Sequence, residues 1–478
     1  MTSTLNPSPR RIAIAAVVVV ALYRLLVWQV VMKYVPLIGD ERYFFDRSRF
    51  FVRYWPGGNP PGNAIDRIVN RAWWLPGPSL LMAPIRAFTT NISYIRLWFG
   101  LVDGVLLVIT AGLVRQVIGP KIALAFFLFI GFLPDAAAQS FGIWGEPIAA
   151  KLLLIVLLGV VVLARRNDSL GRRQYAVAAG LGAILGASVY FRPPLLLQVG
   201  TAIVALVVIG VGRRSRPPAR EFVGAAALVT VGALAVLAPW SIAASDQNGG
   251  LVITTLSVDA NAIHVFSNPE DLRELAGGVG FGDIERTARA RMVERDQSYA
   301  DALRDMRSEL LGRVSFGDYW ERADAEVELY FDGDRTFLEQ YQVELTKGAA
   351  PRARSVIDAQ LDLLEGINTV MWIPLALGAI YAMVRPFPLT ARFGVPAIVT
   401  KVSLAALMIQ PYVSNAKFRH LGVAIPAMAL FTLVALTDSR ILHADERQHF
   451  SPWAIWASRA IQALAAAMTA ITTVVYLN

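Results

Sequence analysis

Eleven long apolar runs divide this 478-residue sequence, and they limit the fold more than any motif does. They read near 12–32, 94–114, 122–138, 143–164, 174–191, 194–212, 221–243, 366–384, 392–413, 417–437 and 453–477. At about 1.5 Å per helical residue, each suits a hydrocarbon core about 30 Å thick, the third and fifth being short. A composition that is 55% hydrophobic, with a mean hydropathy of +0.49, is foreign to soluble domains. The expected fold is therefore an all-α polytopic membrane protein with about eleven transmembrane helices. Its expected divisions are a transmembrane module at 1–243, a mostly helical extracytoplasmic loop domain at 244–365 and a second transmembrane module at 366–478. The first run follows Arg10 and Arg11, lacks a small-residue cleavage site and ends in Trp28, Met32 and Lys33, which reads as an uncleaved span. No cysteine is present, which rules out disulfides and thiolate chemistry.

Charge gives the expected orientation. Residues 245–365 hold 24 acids against 13 bases, a net of −11, so the rest of this +9 chain carries +20. No RNP, helix-turn-helix or zinc pattern accompanies the excess, and nucleic acid is not an expected partner. The bases instead fall in alternate connections: Arg10/Arg11, Arg115/Lys121, Arg165/Arg166, Arg213/Arg214, Arg385/Arg392 and Arg440/Arg447. The positive-inside rule then places the N-terminus in the cytoplasm of a plasma (inner) membrane protein, with loops 33–93, 135–142 and 244–365 outside.

Charged groups at the edge of a bilayer are functional candidates. Asp40 and Glu41 follow the first span in Gly39-Asp40-Glu41, and Glu146 opens the fourth in Trp144-Gly145-Glu146-Pro147. A carboxylate there either takes a proton from an attacking hydroxyl or merely complements a helix end, and position alone leaves both readings open. Arg192 ends the fifth span, and Lys417, Arg419 and His420 start the tenth on the same side. Together they suit an anionic phosphate; singly, each equally suits a lipid headgroup. His264, in the large loop, reads as a ligand, a proton carrier or an ordinary surface histidine. Asp103 and Lys401 are expected to pair, while Lys151 and Arg24 are expected to snorkel. The aromatic and arginine-rich stretch after Asp40 reads as an amphipathic helix or an aromatic belt, and the proline-broken Leu75–Phe88 as a dip rather than a span.

These stretches, in this order and on one side, resemble the GT-C superfamily of membrane glycosyltransferases, in the style of protein O-mannosyltransferases and lipid A aminoarabinose transferases. Gly39-Asp40-Glu41 is similar to the family's first-loop Asp-Glu motif. Trp74-Leu75-Pro76-Gly77-Pro78 with Arg96 resembles its proline-rich dip and following arginine. Trp144-Gly145-Glu146-Pro147 looks like the second-loop acidic site, Arg192-Pro193 like a recurring Arg-Pro, and Phe418-Arg419-His420 before Pro426 like a late-span element. The second-loop acid is Glu where many relatives have Asp, and His420 stands where Tyr is usual.

The resemblance implies an inverting transfer of a sugar from a polyprenyl-phosphate donor to a hydroxyl on a glycan, lipid or protein acceptor. Asp40 would be the base, with Glu41 and Glu146 orienting hydroxyls or holding Mg²⁺ or Mn²⁺. No metal cofactor is expected, since some branches of the family use none. Arg192, Lys417 and Arg419 would neutralise the leaving phosphate, with Arg42, Arg96, His264 and His420 as further substrate-binding candidates. A lipid or sugar transporter, a polysaccharide polymerase or ligase, and a non-catalytic scaffold are the rival classes. No internal repeat favours a transporter.

Overall fold

The computed structural model describes residues 8–54, 69, 72–164, 169–212, 219–331, 341, 345, 351–389, 394–413, 422–437 and 450–477. Among these the architecture is helical, without a sheet. Helix α1 (Pro9–Val27) starts on a Ser8 cap with proline in its first turn and runs into a π-helical turn at Trp28–Met32. The first connection forms α2 (Asp40–Tyr54) and α3 (Gly77–Arg86). At 10 residues α3 is too short to cross a membrane, in agreement with a dip. Six helices of the bundle follow: α4 (Ile92–Val117), α5 (Pro120–Phe132), α6 (Pro134–Ser140), α7 (Glu146–Ala164), α8 (Arg172–Phe191) and α9 (Leu196–Gly212). Next come α10 (Ala219–Asn248) and the smaller helices α11 (Ser257–Phe266), α12 (Pro269–Ala276), α13 (Phe281–Glu294), α14 (Tyr299–Gly312) and α15 (Phe316–Phe331). The chain ends with α16 (Pro351–Val384), α17 (Gly394–Leu407), α18 (Gln410–Val413), α19 (Ile425–Thr437) and α20 (Pro452–Leu477).

Each expected apolar run is helical over much of its length, but not every one is a straight span. Seven helices among the described residues are long and apolar enough to cross a bilayer. The third run is broken: α5 and α6 meet at 72°, because Leu133 is extended ahead of Pro134. Three shorter apolar helices, 193–208, 397–413 and 425–434, match the sixth, ninth and tenth runs. The expected boundary at 365/366 lies inside α16, one continuous 34-residue helix that runs through Gly366 without a break. Helix α2 is amphipathic, as expected, with Arg42, Asp46, Arg49 and Arg53 exposed along one face and the other face packed inward. Phe44, Arg47, Ser48 and Phe51 are buried, and Arg47 donates to the Trp74 carbonyl at 2.8 Å.

Helix α7 positions the site. Its 19 residues are apolar almost all round, the pattern of a helix with no lipid face, and nearly every side chain is buried. Helices α1, α4 and α10 instead leave Leu22, Leu101 and Leu234 exposed on their outer faces. The N-terminal tip of α7 therefore sits at the centre of the bundle, and Glu146 is on that tip.

The intramembrane charges pair differently from the expectation. Asp103 takes Arg24 Nη1 at 2.6 Å and Lys151 Nζ at 2.5 Å, all three buried, so neither cation snorkels. A carboxylate within reach costs less than stretching to the interface. Lys401 donates instead to the Arg385 carbonyl and lies 5.1 Å from the Phe387 ring centroid.

Candidate active site

Two acids open two helices in the same way. Gly39, at φ +47°, turns the chain into α2 with Asp40 in its first turn; Gly145, at φ +88°, turns it into α7 with Glu146 in its first turn. Only glycine adopts such angles cheaply, and an acid at a helix N-terminus is favoured by the helix dipole. The turns also touch the walls they shape. A Cβ at Gly39 would lie 3.2 Å from the Trp144 ring, and one at Gly145 would lie 2.9 Å from the Phe191 ring. Arg192 arrives by a third route: the residue before Pro193 is forced extended, at φ −144°, ψ 107°, and swings out of the end of α8. Its guanidinium meets Glu146 at 3.3 Å, with Glu146 itself almost wholly buried.

Asp40, Glu146 and Arg192 line one cavity of about 270 Å³. Its walls include Phe44, Trp73, Trp74, Trp144 and Phe191, and Gln410 from α18. Ser257 and Asn261 of α11 and Phe281 of α13 complete it. No signal in the chain singles out these last three, because they lie in the acidic 245–365 stretch, which carries no motif.

Glu41 goes elsewhere. It is fully buried and accepts from Arg96 Nη1 at 2.9 Å and Nη2 at 2.6 Å, and from the Ile143 and Ile38 amides at 2.9 and 3.1 Å. Arg96 also donates to the Pro36 carbonyl at 2.9 Å and the Phe141 carbonyl at 3.3 Å. Tyr341 closes this knot, with the Arg96 guanidinium 5.7 Å from its ring centroid. Burial pushes the Tyr341 hydroxyl well above its ordinary pKa, so it stays protonated. Glu41 and Arg96 thus tie the first loop to the second from behind the cavity. Adjacent helical positions point about 100° apart, so Asp40 and Glu41 cannot serve the same side.

The other candidates scatter. Arg42 is exposed and donates to the Leu37 carbonyl at 2.9 Å. His264 is also exposed; its ring lies 4.3 Å from that of Phe281, tilted by 38°, and its Nδ1 lies 2.9 Å from the Val279 carbonyl, so it backs a cavity wall. Asp135 is buried in α6, bonded to Gln139 at 3.1 Å. Lys417, Arg419 and His420 lie outside the described residues. Among the described residues no group of three or more His, Asp or Glu is placed to hold a metal ion.

No protein-family model matches the chain, and no characterised protein sequence matches it at a significant level. Solved structures do. The apo oligosaccharyltransferase of Archaeoglobus fulgidus aligns over 99% of this chain and 56% of its own, at 15% identity and a TM-score of 0.50. The archaeal oligosaccharyltransferase AglB from Archaeoglobus fulgidus, in complex with an inhibitory peptide and a dolichol-phosphate, aligns over 96% and 55%, at 15% identity and 0.44. ArnT from Cupriavidus metallidurans bound to undecaprenyl phosphate aligns over 88% and 76%, at 14% identity and 0.41. The chain spans about half the length of the oligosaccharyltransferases it matches. It shares the helical fold of the apo oligosaccharyltransferase.

Proposed function

We propose that the chain is an inverting glycosyltransferase that moves a sugar from a polyprenyl-phosphate donor to an acceptor hydroxyl. One observation carries this reading: a carboxylate, Asp40, shares a cavity with a cation, Arg192, at one end of the helical bundle. Asp40 accepts the proton of the acceptor hydroxyl as its oxygen attacks the anomeric carbon. The bond from that carbon to the phosphate oxygen breaks on the opposite face, and polyprenyl phosphate departs with the electron pair. That leaving group needs charge neutralisation rather than a proton. Arg192 supplies a two-pronged donor for it, and the pair it makes with Glu146 holds it ready. Glu146 then orients Arg192 or a sugar hydroxyl. Lys417 and Arg419 are further cations for the phosphate.

The alternating Arg and Lys of the short connections support an extracytoplasmic cavity in a plasma membrane protein with a cytoplasmic N-terminus. A fold shared with an oligosaccharyltransferase supports glycosyl transfer as the reaction class. The test offers reconstituted protein a panel of polyprenyl-phosphate sugars and follows the release of free polyprenyl phosphate. Release with at least one donor is expected. Accumulation of intact donor or sugar across the vesicle membrane, with no bond broken, would replace the reading with transport.

A further inference from the structure

The cavity has two chemically distinct sources. The bundle and first loop supply ionised groups: Asp40, Glu146 and Arg192. The helices after α10 supply Ser257, Asn261 and Phe281, with Val258 and Gln410 beside them, and none of these ionises. Phe281 meets Trp73 with ring centroids 6.0 Å apart and planes at 74°, so the two rings form an aromatic corner. Both are held in place. His264 packs behind Phe281 in a tilted ring contact, and Trp73 donates its indole N–H to the Tyr299 hydroxyl at 3.3 Å. Ala72, directly before Trp73, is fully buried at a strained φ of +52°, and its carbonyl accepts the Leu256 amide at 2.9 Å. Strain in a non-glycine residue persists only where its surroundings enforce it. Here the backbone leading into α11 enforces it and presents the tryptophan.

Building on the glycosyl-transfer reading, we infer that this corner is the acceptor subsite and that the acceptor is a neutral carbohydrate. A sugar ring has a C–H face, which carries partial positive charge and suits the electron-rich face of an aromatic ring. Its edge is a row of hydroxyls, which suits an amide and a hydroxyl such as Asn261 and Ser257. A phosphate-bearing headgroup would find no positive charge in these three residues. The cavity, about 270 Å³ in all, is at the small end of ligand pockets and is shared with the donor, so it takes the terminal residue of a glycan rather than a long segment.

The test uses the full chain in detergent. Soluble neutral di- and trisaccharides, a hydroxyl-bearing peptide and a phosphorylated disaccharide are titrated separately, with tryptophan fluorescence and calorimetry as readouts. The same compounds are then added to the polyprenyl-phosphate release assay. At least one neutral saccharide should bind and accelerate release. Asn261→Ala should weaken its binding about tenfold, the loss of roughly one hydrogen bond, and Asn261→Asp or Phe281→Leu should also weaken it. Circular dichroism confirms that each variant is folded. Binding and acceleration by the peptide or the phosphorylated compound alone would overturn the inference, as would variants that bind saccharide like wild type. Failure to release polyprenyl phosphate with any acceptor overturns the transfer reading instead, which the binding titration reads separately.

Discussion

Asp40 and Glu41 are neighbours in the chain, yet the two carboxylates occupy opposite surroundings. Asp40 faces a cavity shared with Glu146 and Arg192. Glu41 faces inward, where Arg96 and two backbone amides use its oxygens. One region is open, with charges grouped where a substrate fits; the other is closed, with charges spent on each other. The closed region positions the open one, because the Glu41–Arg96 pair joins residues 36–41 to residues 141–143, just ahead of Glu146. A charged pair therefore reads as chemistry or as scaffold according to what else its atoms touch.

The contrast can be broken from the closed side first. Glu41→Ala leaves Arg96 buried without its carboxylate and should cost about 3–5 kcal/mol, read as a large drop in melting temperature in detergent. Replacing both partners with apolar residues of similar volume should recover much of that loss. Gly145→Ala forces a side chain into positive φ against Phe191, at about 1–3 kcal/mol. It should also lower turnover, because the same turn aims Glu146 at Arg192. On the open side, Arg192→Lys keeps the charge but loses the two-pronged geometry. We expect about a tenfold loss in kcat/KM for the donor, equivalent to about 1.4 kcal/mol, with little change in melting temperature.

The smallest effect lies outside both regions, between α13 and α14. A hydrogen bond from Arg291, at 2.7 Å, holds the Glu309 carboxyl below its usual range. A lowered folded pKa contributes stability above the unfolded value of about 4.3 and loses it as pH falls through the folded one. Because the pair is partly solvated, Glu309→Gln should remove no more than about 1 kcal/mol, read as a flatter acid limb of melting temperature against pH.

The sequence carried the spans, since hydropathy and helical length are local properties. It also carried the three cavity charges, whose residue types and sides of the membrane could be read from the chain. What it did not carry is relational. The split between Asp40 and Glu41 depends on helix phase and on Arg96, 55 residues away. Arg24 and Lys151 read singly as snorkelling cations, and only packing shows that both converge on Asp103. Arg96 read as a substrate-binding candidate, and only its burial shows it engaged by Glu41. Asn261 and Phe281 sit among charged, helix-forming residues with no pattern to single them out, and the fold alone brings them to Asp40.

The central claim is that the Asp40 cavity transfers sugar, with Asp40 as base. The most direct measurement is polyprenyl phosphate release by reconstituted wild-type protein beside Asp40→Asn, with melting temperature recorded for both. Release should fall by about 10²–10⁴-fold in the variant while its melting temperature stays close to wild type. An Asp40→Asn protein that releases polyprenyl phosphate at the wild-type rate would contradict the account.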